Sequence, residues 1–317
     1  DVDFVVTDTV HVDKNGTKIE TPDLKEHVDG NNVAVKVKTT VVNESERDAS
    51  VKVKHTIYPK NGTAEQAVAT FESQEAVAVE KGKSKDVSAD FTASGVQLWS
   101  TTTPNLYTVK TEVLMDGATV DTYETDYGFR YFAFDKNNGF TLNGQKMNLQ
   151  GVCMHHDLGA LGTAINKSAI ERQINILKSF GTNAIRTSHN PPTPELLELA
   201  DKMGILILDE VFDCWASGKN ENDYAVHYSE WHKKDIEALV CRDRNHPSVI
   251  MWSLGNEVEE QYHPEKGVAA YLRDIVRLYD STRPVTFGAS YPSKSAINGT
   301  ELQVDVHGMN YPSGVYG

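Results

Sequence analysis

Hydrophobic and polar positions follow two different periods along this chain. Up to about residue 133 they alternate with period two. Val33-Ala34-Val35-Lys36-Val37-Lys38-Thr39 and Val51-Lys52-Val53-Lys54-His55-Thr56-Ile57-Tyr58 show it, as do "SKDVSADF" and "LYTVKTEVLM". Asn15-Gly16, Asn61-Gly62 and Asp116-Gly117 fall where turns are expected. Alternation with such turns predicts an antiparallel β-sandwich over residues 1–133, one face of each strand buried and the other solvated. No convincing helix is expected there.

From residue 134 onward apolar strands alternate with helical stretches. The predicted strands are Met147–Met154, Asn183–Ser188, Ile205–Val211, Val249–Leu254, Pro284–Gly288 and Val304–Met309. Between them, Ser168 and Glu171 form a capping-box pattern, with Ile170, Ile174 and Leu177 on one face and Gly181 as the stop. A second helix has Thr193 as N-cap, Pro194 at its first position and Gly204 as terminator. Two more span about Tyr228–Asn245 and Lys266–Asp280. Strand–helix repetition implies a parallel sheet covered by helices. No GxGxxG follows the first strand, which removes support for a dinucleotide-binding sheet.

Polar chemistry gathers at the C-terminal end of strand after strand: His155-His156-Asp157, His189-Asn190, Asp209-Glu210 with Asp213, Asn256-Glu257 and Asn310-Tyr311. A (β/α)8 barrel builds a site in this way, each strand delivering residues to one mouth. Six strands are counted where a closed barrel needs eight, so residues 134–317 predict a barrel truncated after about its sixth strand.

Composition adds exclusions. A net charge of −14 argues against nucleic acid or an anionic membrane as partner. No apolar run approaches the roughly 20 residues of a membrane span, and no signal peptide is visible. The expected protein is soluble, cytoplasmic or secreted. Cys153, Cys214 and Cys241 form no CxxC pair and read as free thiols.

The stretch "VIMWSLGNEVEE" carries the sharpest candidate. A carboxylate such as Glu257, at the end of an apolar strand, is expected to be partly desolvated, which favours its protonated form and suits a general acid. Asn256 beside it offers an amide to a hydroxyl. Acid, amide and aromatic residues around one mouth suit a sugar. The plain alternative is a capping or salt-bridging carboxylate. His155 and His156 are adjacent and point to opposite sides of a strand, so only one faces the mouth. That weakens a metal site built from His155, Asp157, His189 and His307. Arg186 would point into the barrel and must pair with an acid. Asp209, Glu210 and Asp213 read either as a solvated acidic loop or as a hydroxyl-binding Asp213 with Trp215 in the pocket wall.

Taken together, "NGFTLNGQKMNLQGVCMHHD", "GTNAIRTSHNPP", "LILDEVFDCW" and "RDRNHPSVIMWSLGNE" resemble glycoside hydrolase family 2, most closely its β-galactosidases. The first half, ending in "YGFRYFAFD", resembles that family's immunoglobulin-like domain. The resemblance implies retaining hydrolysis of a β-galactoside, with Glu257 as acid/base and Asn256 on the sugar 2-hydroxyl. It also implies sugar contacts from His155, His189 and Asp213, and Tyr311 flanking the nucleophile. The expected partner is a carbohydrate, and a homo-oligomer is compatible with the reading. No cofactor is assigned. Magnesium or sodium occurs in some relatives, and the sequence does not map ligands for either. The family's nucleophile is a Glu on the seventh strand, so the chain alone is expected to be inactive. Competing readings are a β-glucuronidase or other family 2 glycosidase, and a non-catalytic carbohydrate-binding protein.

Overall fold

The computed structural model describes residues 4–290 and 299–311. They fall into two compact units, Asp1–Asn148 with Asn245–Pro247, and Leu149–Arg244 with Ser248–Gly317.

The first unit is a β-sandwich. One sheet has the order β1-β2-β6, with β1 Val10–Glu20, β2 Val33–Asn43 and β6 Ser84–Ala93. The other has the order β4-β3-β7-β8, with β3 Ala49–Pro59, β4 Ala69–Glu72, β7 Tyr107–Met115 and β8 Ala118–Tyr127, and β5 Val77–Val79 pairing to β3. The period-two pattern becomes the inner face: Val33, Val35, Val37 and Val41 of β2 are buried, as are Val51, Val53 and Ile57 of β3. Asp116-Gly117 forms the β7–β8 hairpin turn, with φ of 51° and 80°. Asn15-Gly16 does not turn the chain. It lies within β1 as a bulge, Asn15 at φ 57°, where the pairing with β2 shifts register between Val12 and Thr17. A three-stranded sheet, β9 Phe132–Asp135, β10 Gly139–Leu142 and β11 Gln145–Lys146, belongs to this unit. Phe140 and Leu142 are buried, and Asn143 donates to Trp99 O at 2.9 Å. The compact unit thus extends past residue 133, where the long alternating strands end.

The second unit is an incomplete (β/α)8 barrel of six parallel strands among the described residues, in the order β12-β13-β14-β15-β16-β17. These are β12 Gly151–His155, β13 Ala184–Ser188, β14 Leu206–Glu210, β15 Val249–Asn256, β16 Val285–Ala289 and β17 Gly308–Met309. Helices α1 Lys167–Ser179, α2 Pro194–Met203, α3 Ala225–Asp243 and α4 Val268–Tyr279 lie between successive strands. None of the described helices is long and apolar enough to cross a membrane.

Helix α2 starts and stops as its sequence requires: Thr193 Oγ1 accepts from Leu196 N, and Gly204 closes it at φ 70°. Helix α1 begins earlier than the Ser168 capping box predicts. Asn166 is the cap, its side chain accepting from Ala169 N at 2.9 Å, so Ser168 is already inside the helix. The expected strand Val304–Met309 shrinks to Gly308–Met309. Asp305 N and Val306 N both donate to Val285 O, and Asp305 Oδ2 accepts from Val285 N, so irregular pairing replaces a ladder.

Candidate active site

Side chains on alternate positions of β13, β14 and β15 converge on one interior face. Arg186 is registered beside Leu208, and Glu210 beside Ser253. Glu210 is fully buried and forms the hub. Its Oε2 accepts from Arg186 Nε at 2.7 Å and from Ser253 Oγ at 2.6 Å, and its Oε1 accepts from His189 Nδ1 at 2.6 Å. Arg186 Nη2 continues to Asn256 Oδ1 at 3.0 Å. Gly288 makes room for this guanidinium, since a Cβ there would stand 2.6 Å from Arg186 Nη2. A buried charge pair survives when its remaining donors and acceptors are used, and nearly every one here is.

Asp209 and Glu210 therefore do not form a solvated acidic loop. Both have no exposure, on opposite faces of β14. Asp209 points away from the site, toward the helix layer. Burial, and then the adjacent Asp243 carboxylate, push its pKa well above the usual carboxylate range. Arg242 in turn grips Asp243 through Nε at 2.6 Å and Nη2 at 2.7 Å.

Strand β15 is buried at every position, yet it ends in polar groups. A register shift between Ser253 and Asn256 breaks the alternation, so both side chains reach the interior network. Asn256 Oδ1 also accepts from Asn310 Nδ2 at 2.8 Å, while its Nδ2 donates to Asp213 Oδ1 at 3.4 Å. Glu257 follows, half-buried, at φ 47°. Its N–H donates to Gly288 O at 2.7 Å, and its Oε1 accepts from Asn310 Nδ2 at 2.7 Å. Asp213 is also paired to Lys219 Nζ at 2.7 Å.

His155 and His189 meet edge to face at 5.2 Å, next to a cis Ser188–His189 peptide. His156 turns the other way and bonds Thr163 O at 3.1 Å. Among the described residues no group of three or more His, Cys, Asp or Glu side chains gathers as metal ligands, so the His155, Asp157, His189 and His307 set is not assembled.

Trp215 is not a pocket wall. It is fully buried, its Nε1 donates to Leu254 O at 2.9 Å, and its ring packs 5.9 Å from Phe287. Its role is to brace Gly255, where an added Cβ would meet Trp215 Nε1 at 2.8 Å. Tyr311 is exposed at the end of the described chain, at φ 54°.

The structure thus brings Asn256, Glu257, His155, His189 and Asp213 to one strand-end surface. It adds Arg186, Glu210, Ser253, Asn310 and Lys219 as the groups that hold them. The signal for Asn310 was its place just after the last strand. Nothing local marked Lys219, which lies six residues beyond Asp213.

Residues 135–316 match the profile described as "Glycosyl hydrolases family 2, TIM barrel domain", and residues 17–130 match that described as "Glycosyl hydrolases family 2". The chain is similar to a protein named beta-galactosidase BoGH2A from Bacteroides ovatus, at 39% identity over 96% of this chain and 38% of that protein. It is also similar to a putative beta-glucuronidase from Formosa agariphila, at 37% identity over 69% of this chain and 21% of that protein. Among solved structures, a glycosyl hydrolase family 2 member from Bacteroides cellulosilyticus superposes with a TM-score of 0.89 at 36% identity, covering 96% of this chain and 38% of the other. The chain therefore spans well under half the length of these relatives.

Proposed function

The chain belongs to glycoside hydrolase family 2, and from that premise we propose that it is the acid/base-bearing part of a retaining β-galactosidase. The observation that carries this reading is the setting of Glu257. It stands at the end of a wholly buried strand, with Oε1 held by Asn310 and with no partner for Oε2 among the described residues. Oε2 is then the oxygen that carries a proton to the glycosidic oxygen as the C1–O bond breaks. After the glycosyl group has passed to a carboxylate nucleophile, Glu257 takes a proton from the water that attacks C1. Asn256, His155, His189 and Asp213 are proposed to contact sugar hydroxyls.

The nucleophile of a retaining pair stands roughly 5 Å from the acid. Glu210 and Asp213, the other carboxylates of the network, are tied to Arg186 and Lys219 respectively. Following the family's pattern, the reading takes the nucleophile to be a Glu of a seventh strand. Galactoside specificity rests on the similarity to the Bacteroides ovatus protein, while similarity to proteins named beta-glucuronidase supports the alternative sugar.

The test uses the complete protein with nitrophenyl β-galactoside and nitrophenyl β-glucuronide. Galactoside should be turned over preferentially, and Glu257→Gln should lower kcat by about 10²–10⁴-fold. Preference for the glucuronide would overturn the sugar assignment, and unchanged turnover by Glu257→Gln would overturn the role of Glu257.

A further inference from the structure

Glu257 has φ 47°, in the left-handed region. A residue other than glycine is strained there, and stays only where its surroundings hold it. Two bonds hold the Asn256–Glu257 peptide. On one side its N–H donates to Gly288 O at 2.7 Å. On the other its carbonyl, Asn256 O, accepts from Lys219 Nζ at 2.7 Å. The same ammonium donates to Asp213 Oδ1 at 2.7 Å, and that oxygen also accepts from Asn256 Nδ2 at 3.4 Å. One lysine thus joins the loop after β14 to the peptide plane that carries the carboxyl.

The loop is shaped to deliver it. Asp223 Oδ2 accepts from Lys219 N at 2.6 Å and Asn220 N at 2.9 Å, and Oδ1 accepts from Ala225 N at 3.0 Å. These donors, that of Asn220 foremost, hold the Asp223 carboxyl below the usual range although burial opposes it. Gly218 leaves the space, since a Cβ there would stand 2.8 Å from Asp223 Oδ1. A free lysine side chain would lose much of its rotamer freedom on being fixed. Here the chain is fixed at its base by Asp223 and at its tip by two oxygens.

We infer that Lys219 is a positioning residue for Glu257: it sets the rotation of the Asn256–Glu257 peptide, and so the direction in which the carboxyl presents its proton to the leaving oxygen. The inference rests on Glu257 being the acid/base. Loss of Lys219 should impair proton donation more than sugar binding. The defect should therefore grow with the basicity of the leaving group. A dinitrophenolate departs with little protonation, whereas an alkoxide requires it.

The experiment compares methyl β-galactoside with dinitrophenyl β-galactoside in the complete protein, for Lys219→Met, Lys219→Arg, Asp223→Ala and Glu257→Ala. Misplacement by about 1 Å costs on the order of 100-fold. Lys219→Met should lose about that factor in kcat/KM, which reports the step that expels the leaving group, on the methyl glycoside and less than about 5-fold on the dinitrophenyl glycoside. Lys219→Arg should recover part of the loss, and Asp223→Ala should show the same leaving-group dependence in smaller measure. A Lys219→Met loss equal on both substrates, or no loss, overturns the inference when Glu257→Ala does show leaving-group dependence. If Glu257→Ala shows none, the acid/base reading itself has failed, and the inference with it.

Discussion

Arg186 carries its charge into the interior of a sheet beside Ile185, and Glu210 meets it there with no exposure at all. Removing one partner of such a pair leaves the other buried and uncompensated, a loss of about 3–5 kcal/mol. Arg186→Met should lower the free energy of unfolding by that amount in denaturant titration. Adding Glu210→Gln should recover part of it, because an amide needs no counter-charge. Glu257 makes the opposite trade. Its left-handed backbone costs stability for the sake of position, so Glu257→Gly should abolish turnover while raising stability by about 0.5–1 kcal/mol in the same titration. The sequence made Glu257 conspicuous, because an acid at the end of a largely apolar strand breaks a pattern. It left Glu210 indistinct from Asp209: two adjacent acids look alike in sequence, and strand alternation sends one into the site and the other toward Asp243.

At the scale of single elements, local rules were legible where the partners are near in sequence. Thr193, Pro194 and Gly204 bound α2 as written, because capping involves only the first and last turns. The α1 cap shows the limit of that logic, since the helix is capped by Asn166 and not by Ser168 of the capping-box pattern. Asn166→Ala should cost about 1 kcal/mol in thermal or chemical unfolding, and Ser168→Ala only a few tenths. Strand β15 depends on distant partners. Gly255 lies against the Trp215 indole, so Gly255→Ala should destabilise by about 1–3 kcal/mol through overpacking and should perturb Trp215 fluorescence. The shift of register after Ser253, which turns Asn256 inward, left no trace in the apolar run.

At the scale of the whole molecule, one buried histidine of the sandwich makes the fold sensitive to acid. His55 stacks near Phe71 and Phe91, at 6.4 and 6.1 Å, and burial holds its pKa at about 4. Its unfolded value is near 6.5. Neutral His55 is therefore compatible with the fold above pH 6.5, and stability falls by about 3 kcal/mol as pH drops from 6.5 to 4. Replacing it together with its hydroxyl partner, as His55→Phe/Thr111→Val, should flatten this slope in unfolding measured against pH. Asp280 acts lower on the scale. Burial opposes its charge, but Arg283 and the Thr282 hydrogen bonds outweigh burial and hold it at about 2. Its contribution is complete above the ordinary carboxylate range and is lost only as pH falls toward 2.

The sequence by itself determined the two architectures, since periods of 2 and of 3.6 follow from backbone geometry alone. It also determined which strand ends carry chemistry, because a parallel barrel gathers its residues at one mouth. Only the tertiary structure decided which way each polar side chain turns. That choice depends on bulges, register shifts and glycine spaces set by distant strands. Hence Trp215 became a buried brace for Gly255. Lys219, unremarkable in its own loop, came to lie against the peptide of Glu257.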